Sequence, residues 1–431
     1  MELVELKDKE FNDFAETHKY GTFMQNSYWG EHKSNSGWGY KLLGVKENNK
    51  IVAGCLLLSK KMPLGKFMYY APRGYLLDYE NLDMLEKFDA LITDYSKKHN
   101  GMLLKIDPYV QRVERDADNN IIEGSFNNDH IIKKLKDLGF KAQDEKIGSQ
   151  GTQIKWMYWI NIKDKTIDDV MNDMTNTTKR MIRKNEKNGV VVRDGSYEDL
   201  EEFKKVTDQT GESRGFATRP LDYLQSMYKE LDKNKHIKLV FADLLIEDKL
   251  IEHKEEYKKA KEEYDKLVES ASKGTKVSEK TLKEKETELE RLDGNVKEFQ
   301  ELYDTYGSKT TLGAVIYIIY NNEVMSFIGG NYDHLLKFQP FYTIHYEMIK
   351  YAIDNKFEYY NFYGISSNLS PDDPMYGVYQ FKRGFGGQVV ELIGEYDKKI
   401  SPVYTLYKGA YGVYHGLNKF KAGLHKKKTR K

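Results

Sequence analysis

A single cysteine in 431 residues leaves no internal disulfide and no thiolate pair for a zinc site. Cys55 lies in the apolar run IVAGCLLL (Ile51–Leu58), where it reads as a small buried hydrophobe in a reducing compartment. The 10 histidines show no metal-ligand spacing, so no metal is expected. No apolar run approaches the roughly 20 residues that a membrane-spanning helix needs. The opening residues, MELVELKDKEF, lack the basic-then-apolar pattern of a secretory signal. The expected location is the cytoplasm, at most against the inner face of the membrane. There is no P-loop, and no dinucleotide fingerprint follows a strand. The net charge of +1 argues against a uniformly basic nucleic-acid coat and leaves local patches open.

The length allows two or three domains. One stretch, Phe341 to Gly387, organises the rest. Ile344, Met348, Ile349 and Ala352 make one apolar helical stripe. Phe357 to Tyr363 is aromatic-rich and short, as a strand is. Gly364 opens a polar loop, Ile365 to Pro374, and a short helix ends near Lys382. Met84 to Pro108 is a near copy, with helix, strand, then Asp107-Pro108. Strand-turn-strand patterns precede both copies, at Tyr40–Lys60 and Thr311–Gly330. Helical pairs precede those, at Asp8–Ser34 and Tyr197–Leu231. This order predicts an α/β (α+β) fold of two acetyltransferase-like (GNAT-like) halves.

The expected division is residues 1–150 and 151–396, with 397–431 packing back on the first half. Val110–Asp129 reads as a surface loop, Gln143–Gly151 as a linker and Thr166–Asn188 as one helix. Strand Val389–Ile393, a Tyr-rich helix and the tail HKKKTRK follow the second half. Tyr257, Ala260, Tyr264, Leu267 and Ala271 form one segment of a heptad seam, and Leu289, Leu292, Val296, Phe299, Leu302 or Tyr303, and Tyr306 the other. The short join SASKGTK makes the helices antiparallel. A coiled-coil arm, 249–306, is therefore expected as an insertion in the second half, burying little against the core.

Several residues invite chemistry, and each also has a plainer reading. Lys382 follows Phe381 beside the proposed crevice, where a cation could steady a developing oxyanion. Lysine is also favoured at a helix C-terminus. Asp107 could orient an amine or accept its proton, and Asp-Pro is also a common turn opener. Arg219-Pro220-Leu-Asp-Tyr223 could clamp an anion or simply start a helix. Lys179, Arg180, Arg183, Lys184 and Lys187 could bind phosphates or form a solvated face. Arg383-Gly-Phe-Gly-Gly387 resembles a phosphate cradle, but it follows a helix and reads as its C-terminal turn.

Taken in order, these residues resemble the Fem family of peptidoglycan-branching aminoacyltransferases, the FemA, FemX and MurM type. The likeness covers nearly the whole chain. It runs through Gln25, Trp29-Gly-Glu-His-Lys33, Ala71-Pro-Arg-Gly74, Asp78, Ile106-Asp107-Pro108, Thr218-Arg219-Pro220 with Tyr223, and Phe381-Lys382. The resemblance implies transfer of an amino acid from aminoacyl-tRNA to the side-chain amine of a muramyl-peptide stem, without a cofactor. It assigns Lys33, Arg219 and Tyr223 to the precursor, Asp107 to the same cleft, and Phe381 and Lys382 to the reacting ester. Met102 and Ile328 stand where some members carry substrate-contacting tyrosines, which leaves a nucleotide-linked or lipid-linked precursor open. Further expected partners are the membrane surface and a second copy or homologue. The competing classes are an acyl-CoA-dependent N-acetyltransferase and a non-catalytic coiled-coil scaffold.

Overall fold

The computed structural model describes residues 1–143, 153–274, 277–407 and 409. The expected linker falls outside them except for Gln143. The helix after Pro402 is described in its first turn, residues 403–407, and the lysine-rich tail lies outside the described residues.

Two sheets form the molecule. The first runs Leu3–Glu5, Gly39–Glu47, Lys50–Met62, Lys66–Ala71, Gly101–Ile106, Tyr396–Lys399 and Phe140–Ala142 in spatial order. The second runs Gln111–Glu114, Gln388–Leu392, Trp156–Asn161, Tyr359–Gly364, Glu323–Asn331, Lys309–Tyr320, Ile237–Leu245 and Val190–Gly195. Each sheet has one parallel pair, Lys66–Ala71 with Gly101–Ile106 and Glu323–Asn331 with Tyr359–Gly364. A parallel pair needs a crossover. The helices Leu82–Lys98 and Phe341–Asp354 supply it. The second helix buries Ile344, Met348, Ile349 and Ala352, the stripe seen in the sequence. The hairpin turn at Asn48 and Asn49 has both residues left-handed (φ 48° and 63°), as a tight turn between twisted strands requires.

Three expectations are corrected. The region read as a loop, Val110–Asp129, contains the strand Gln111–Glu114, which pairs with Gln388–Leu392. Arg112 within it and Arg115 just beyond it are bound by Glu391, 2% exposed, at 3.2 and 2.6 Å. The helix expected over Thr166–Asn188 is two helices, Ile167–Asp173 and Asn176–Lys187. Met174 is extended between them, and Thr175 caps the second by accepting from Thr178 N.

The third concerns the helices Ile246–Ser272 and Glu279–Tyr306, which rise between the strands Ile237–Leu245 and Lys309–Tyr320. They run antiparallel, with Lys254 Nζ donating to Gln300 Oε1 at 2.8 Å and Lys285 Nζ 3.1 Å from Glu263 Oε2. At 27 and 28 residues each spans roughly 40 Å. Their base does not stand clear of the core. Leu250, Phe299 and Leu302 belong to the second sheet's apolar cluster, and Val296, Tyr303 and Tyr306 pack against it. Only Gly307 and Ser308 separate the second helix from its strand, and that short link presses the last turns onto the sheet.

An apolar core joins the halves. Phe11, Leu56 and Leu58 from the first share a cluster with Phe241, Ile316 and Met325 from the second. Cys55 is buried under the first sheet. Among the described residues no helix is long and apolar enough to cross a membrane, and no cluster of His, Cys, Asp and Glu suits a metal ion.

Candidate active site

Lys382 sits in the last turn of the helix Tyr376–Arg383, with its side chain turned into the protein. Its Nζ donates to the Gly364 carbonyl at 2.6 Å, and no carboxylate pairs with it among the described residues. Burial alone pulls its pKa down to about 7. Phe381 faces a wall of rings: Tyr342 at 4.9 Å, Phe385 at 5.4 Å and His345 at 5.5 Å between centroids. His345 is buried, and burial first and the nearby Lys382 second pull its pKa down to about 3, so the ring is neutral near pH 7. Its Nδ1 meets the Tyr360 hydroxyl at 2.7 Å. A neutral ring there spares Lys382 a like charge.

Gly364, which receives Lys382, closes the strand Tyr359–Gly364 after a bulge. Pairing with Trp156–Asn161 slips between Asn361 and Gly364, and Tyr363 is left-handed at φ 63°. The Tyr363 hydroxyl feels the charge of the nearby Arg73 guanidinium, whose own face lies over the Tyr109 ring at 5.4 Å. Arg73 is also left-handed, at φ 60°. Its turn is pinned by Gln25, whose Nε2 donates to the Pro72 and Gly74 carbonyls while its Oε1 accepts from Leu56 N. Gly74 (φ 84°) must be glycine, since a Cβ would lie 2.7 Å from Pro108 Cα.

Asp107 is buried against this turn. Its Oδ1 accepts from Arg73 N at 2.9 Å, and Oδ2 stands 3.6 Å from Arg73 Nη1 without a hydrogen-bond partner among the described residues. Burial raises its pKa to about 6, against the pull of Arg73. It holds Arg73, which in turn touches Tyr363.

The structure brings Lys33, Arg219 and Tyr223 together at the boundary of the halves. Lys33 Nζ lies 5.6 Å above the Tyr223 ring and Arg219 Cζ lies 5.2 Å above it. His32 packs edge-on against the same ring at 4.5 Å and reaches Ser226 Oγ at 3.0 Å. Lys60 approaches Trp38, which Lys33 also faces. Neither Lys33 nor Arg219 has a carboxylate partner among the described residues, and burial with repulsion from Arg219 and Lys60 pulls the Lys33 ammonium below its ordinary value. Converging cations without counter-ions suit an anion. An aromatic chain connects this point to the bulge: Trp29, Phe23, Phe327 and Tyr363 follow at 5.1, 5.2 and 5.4 Å.

The basic helix Asn176–Lys187 buries Met181, Ile182 and Asn185. Arg180, Arg183, Lys184 and Lys187 are exposed, Lys179 less so, and none forms an ion pair among the described residues. Thr175, its cap, donates its N–H to the Gly384 carbonyl at 2.9 Å, two residues beyond Lys382. The helix thus starts beside Lys382.

Sequence reasoning gave no role to Arg73, Lys60 or Tyr363. Arg73 stood in a noted motif, and Tyr363 ended a noted strand. The left-handed bulge that aims Tyr363 leaves no pattern in the sequence.

Comparison with known proteins places the chain. A family model described as the FemAB family matches residues 6–412. Aminoacyltransferase FemA of Staphylococcus aureus strains MRSA252 and NCTC 8325 is 31% identical over 417 residues, covering 94% of this chain and 97% of theirs. The crystal structure of FemX superposes with a TM-score of 0.76 at 23% identity, over 94% of this chain and 99% of that one, and shares the fold. The chain belongs to the FemAB family, as an aminoacyltransferase.

Proposed function

We propose that the chain moves an amino acid from aminoacyl-tRNA to the side-chain amine of the stem peptide in a muramyl-peptide peptidoglycan precursor, building an interpeptide bridge. The observation that carries this reading is the cluster of Lys33, Lys60 and Arg219 around Tyr223 and Trp38. It fits the pyrophosphate shared by nucleotide-linked and lipid-linked precursors. The basic helix beside Lys382 is the contact for the RNA. We assign residues 1–150 with 397–431 to one acetyltransferase-like domain and 151–396 to a second, and read 249–306 as a coiled-coil arm that reaches the partner or the tRNA body.

The donor is already an activated ester, so placing an amine at its carbonyl supplies much of the acceleration. The amine nitrogen bonds the carbonyl carbon, the bond to the ribose oxygen breaks, and the amine proton passes to that oxygen. Protonated Lys382 steadies the oxyanion and the leaving oxygen. Phe381 packs Lys382's end of the helix, and Asp107 acts as a positioning residue through Arg73 and Tyr363.

The test is an assay of the full chain with charged tRNA and a nucleotide-linked muramyl pentapeptide, beside one with acetyl-CoA. Aminoacylated precursor from charged tRNA alone is the expected result. Acetylated product from acetyl-CoA with none from charged tRNA overturns the reading.

A further inference from the structure

A second cleft, of about 610 Å³, opens between the halves at the other end of the parallel pair Glu323–Asn331 and Tyr359–Gly364. Glu323 and Tyr359, which line it, are opposite each other in register. Lys382 is bonded at Gly364, five residues along the strand, or about 16 Å away. The cleft is therefore separate from the crevice around Lys382.

Besides tyrosines, three glutamates, a lysine and a histidine line it. Glu80 is paired with His130 at 3.0 Å, and Glu358 with Lys163 at 2.8 Å. His18 is held neutral, with a pKa of about 4, mainly by burial. That leaves Glu323 and Lys19, neither in an ion pair among the described residues. Glu323 is partly buried. Its Oε2 accepts from the Tyr109 hydroxyl at 2.9 Å and from Asn361 Nδ2 at 2.8 Å. Both bonds fall on one oxygen, which leaves Oε1 to the cleft. Burial pushes the carboxyl above its usual range, and the bonds from Asn361 and Tyr109 with the charge of Arg73 pull it back only in part. Trp159 and Tyr359, at 4.9 Å, stand beside it with Tyr109. Aromatic faces beside a carboxylate suit an ammonium. Lys19, exposed and 5.1 Å above the Tyr20 ring, supplies the one cation without an ion pair among the described lining residues.

We propose that this cleft binds a zwitterion of amino-acid or short-peptide chemistry, its ammonium on Glu323 among the rings and its carboxylate toward Lys19. The inference does not rest on the transfer reading, because it uses neither Lys382 nor the Lys33 cluster. Two sources share this chemistry, a free amino acid or peptide and the peptide portion of a larger substrate.

The test is calorimetric titration of the full chain with the common amino acids and simple dipeptides, each also as its N-acetyl derivative and its amide. At least one parent compound should bind in the millimolar range or tighter. N-acetylation and amidation should each weaken it about tenfold or more, as loss of a charged hydrogen bond does. Glu323→Gln should abolish the effect of N-acetylation, and Lys19→Ala the effect of amidation. Because Lys19 is exposed, its variant keeps the test sound if Glu323→Gln fails to fold. Competition by a muramyl-peptide precursor would identify the peptide portion as the source, and its absence a free ligand. Failure of every parent compound to bind, or equal binding of the capped forms, overturns the proposal.

Discussion

Lys382 gives up its solvent on folding and receives one carbonyl in exchange. Its ammonium titrates near 10.5 when unfolded and near 7 when folded. Across that window the unfolded chain holds a proton that the folded chain has released, so this residue makes stability rise with pH between about 7 and 10.5. Lys382→Met removes a group that the core disfavours in its charged form. Thermal melts should show unchanged or higher stability, most clearly below pH 7. Steady-state kinetics should show kcat and kcat/KM falling together by about 10²–10³. A protonated Lys382 also places a basic limb near pH 7 in the kcat/KM profile, and Lys382→Arg should erase that limb. A near-normal kcat in the Met variant would return Lys382 to a structural role. Arg219 poses the complementary case, since it is exposed and has no carboxylate partner among the described residues. Arg219→Ala should raise the precursor's KM by about 10–100-fold and leave that of charged tRNA unchanged. Equal effects on both substrates would count against the anion site.

Among the elements, the two helical candidates for RNA differ in charge pattern. The basic helix presents Arg180, Arg183, Lys184 and Lys187 without ion pairs among the described residues. The long helices neutralise much of their own charge, through pairs such as Lys285 with Glu263 and Glu288, and Lys297 with Asp293. Reversing Arg180 and Arg183 to Glu should weaken tRNA binding tenfold or more and flatten its salt dependence. Shortening the arm must spare its base, because Leu250, Phe299 and Leu302 belong to the core. Joining residue 257 to residue 295 should leave a folded chain with a smaller loss of tRNA affinity. The opposite ranking in filter binding would make the arm the main contact. How much of this the sequence disclosed depends on the range of the interaction. Hairpins and crossover helices were readable because their periods of 2 and 3.6 are local. The break at Met174 was hidden, since Thr175 caps a helix inside an unbroken amphipathic pattern. The strand Gln111–Glu114 was hidden because Arg112 and Arg115 find Glu391 nearly 280 residues away. In the site, the sequence named Lys33, Arg219, Tyr223, Asp107 and Lys382. It did not show that Asp107 faces Arg73, a contact made only when the strand end at Asp107 and the turn at Arg73 meet.

On the scale of the molecule, the halves exchange strands. The first lends Gln111–Glu114 to the second sheet, and the chain returns after the second half to place Tyr396–Lys399 between Gly101–Ile106 and Phe140–Ala142. The inserted strand carries Lys398, whose Nζ lies 2.5 Å from Asp89 Oδ2 with the carboxylate side chain 1% exposed. Asp89 also accepts from the Tyr75 hydroxyl at 2.9 Å. A segment more than 300 residues downstream thus supplies the counter-ion of the first half's core. Removing one member of a buried pair costs about 3–5 kcal/mol. Lys398→Met should cost that much at pH 7 in denaturant unfolding. Asp89 already sits above the ordinary carboxyl range through burial, and losing Lys398 raises it further. The lone carboxyl is neutral below its raised pKa, so the deficit should shrink as pH falls toward 5. Asp89→Asn in the Lys398→Met background should recover most of the loss at pH 7, because the uncompensated charge is then gone. A deficit independent of pH and untouched by Asp89→Asn would mean that the strand is held by its backbone pairing alone. The first half would then fold without its returning strand's charge.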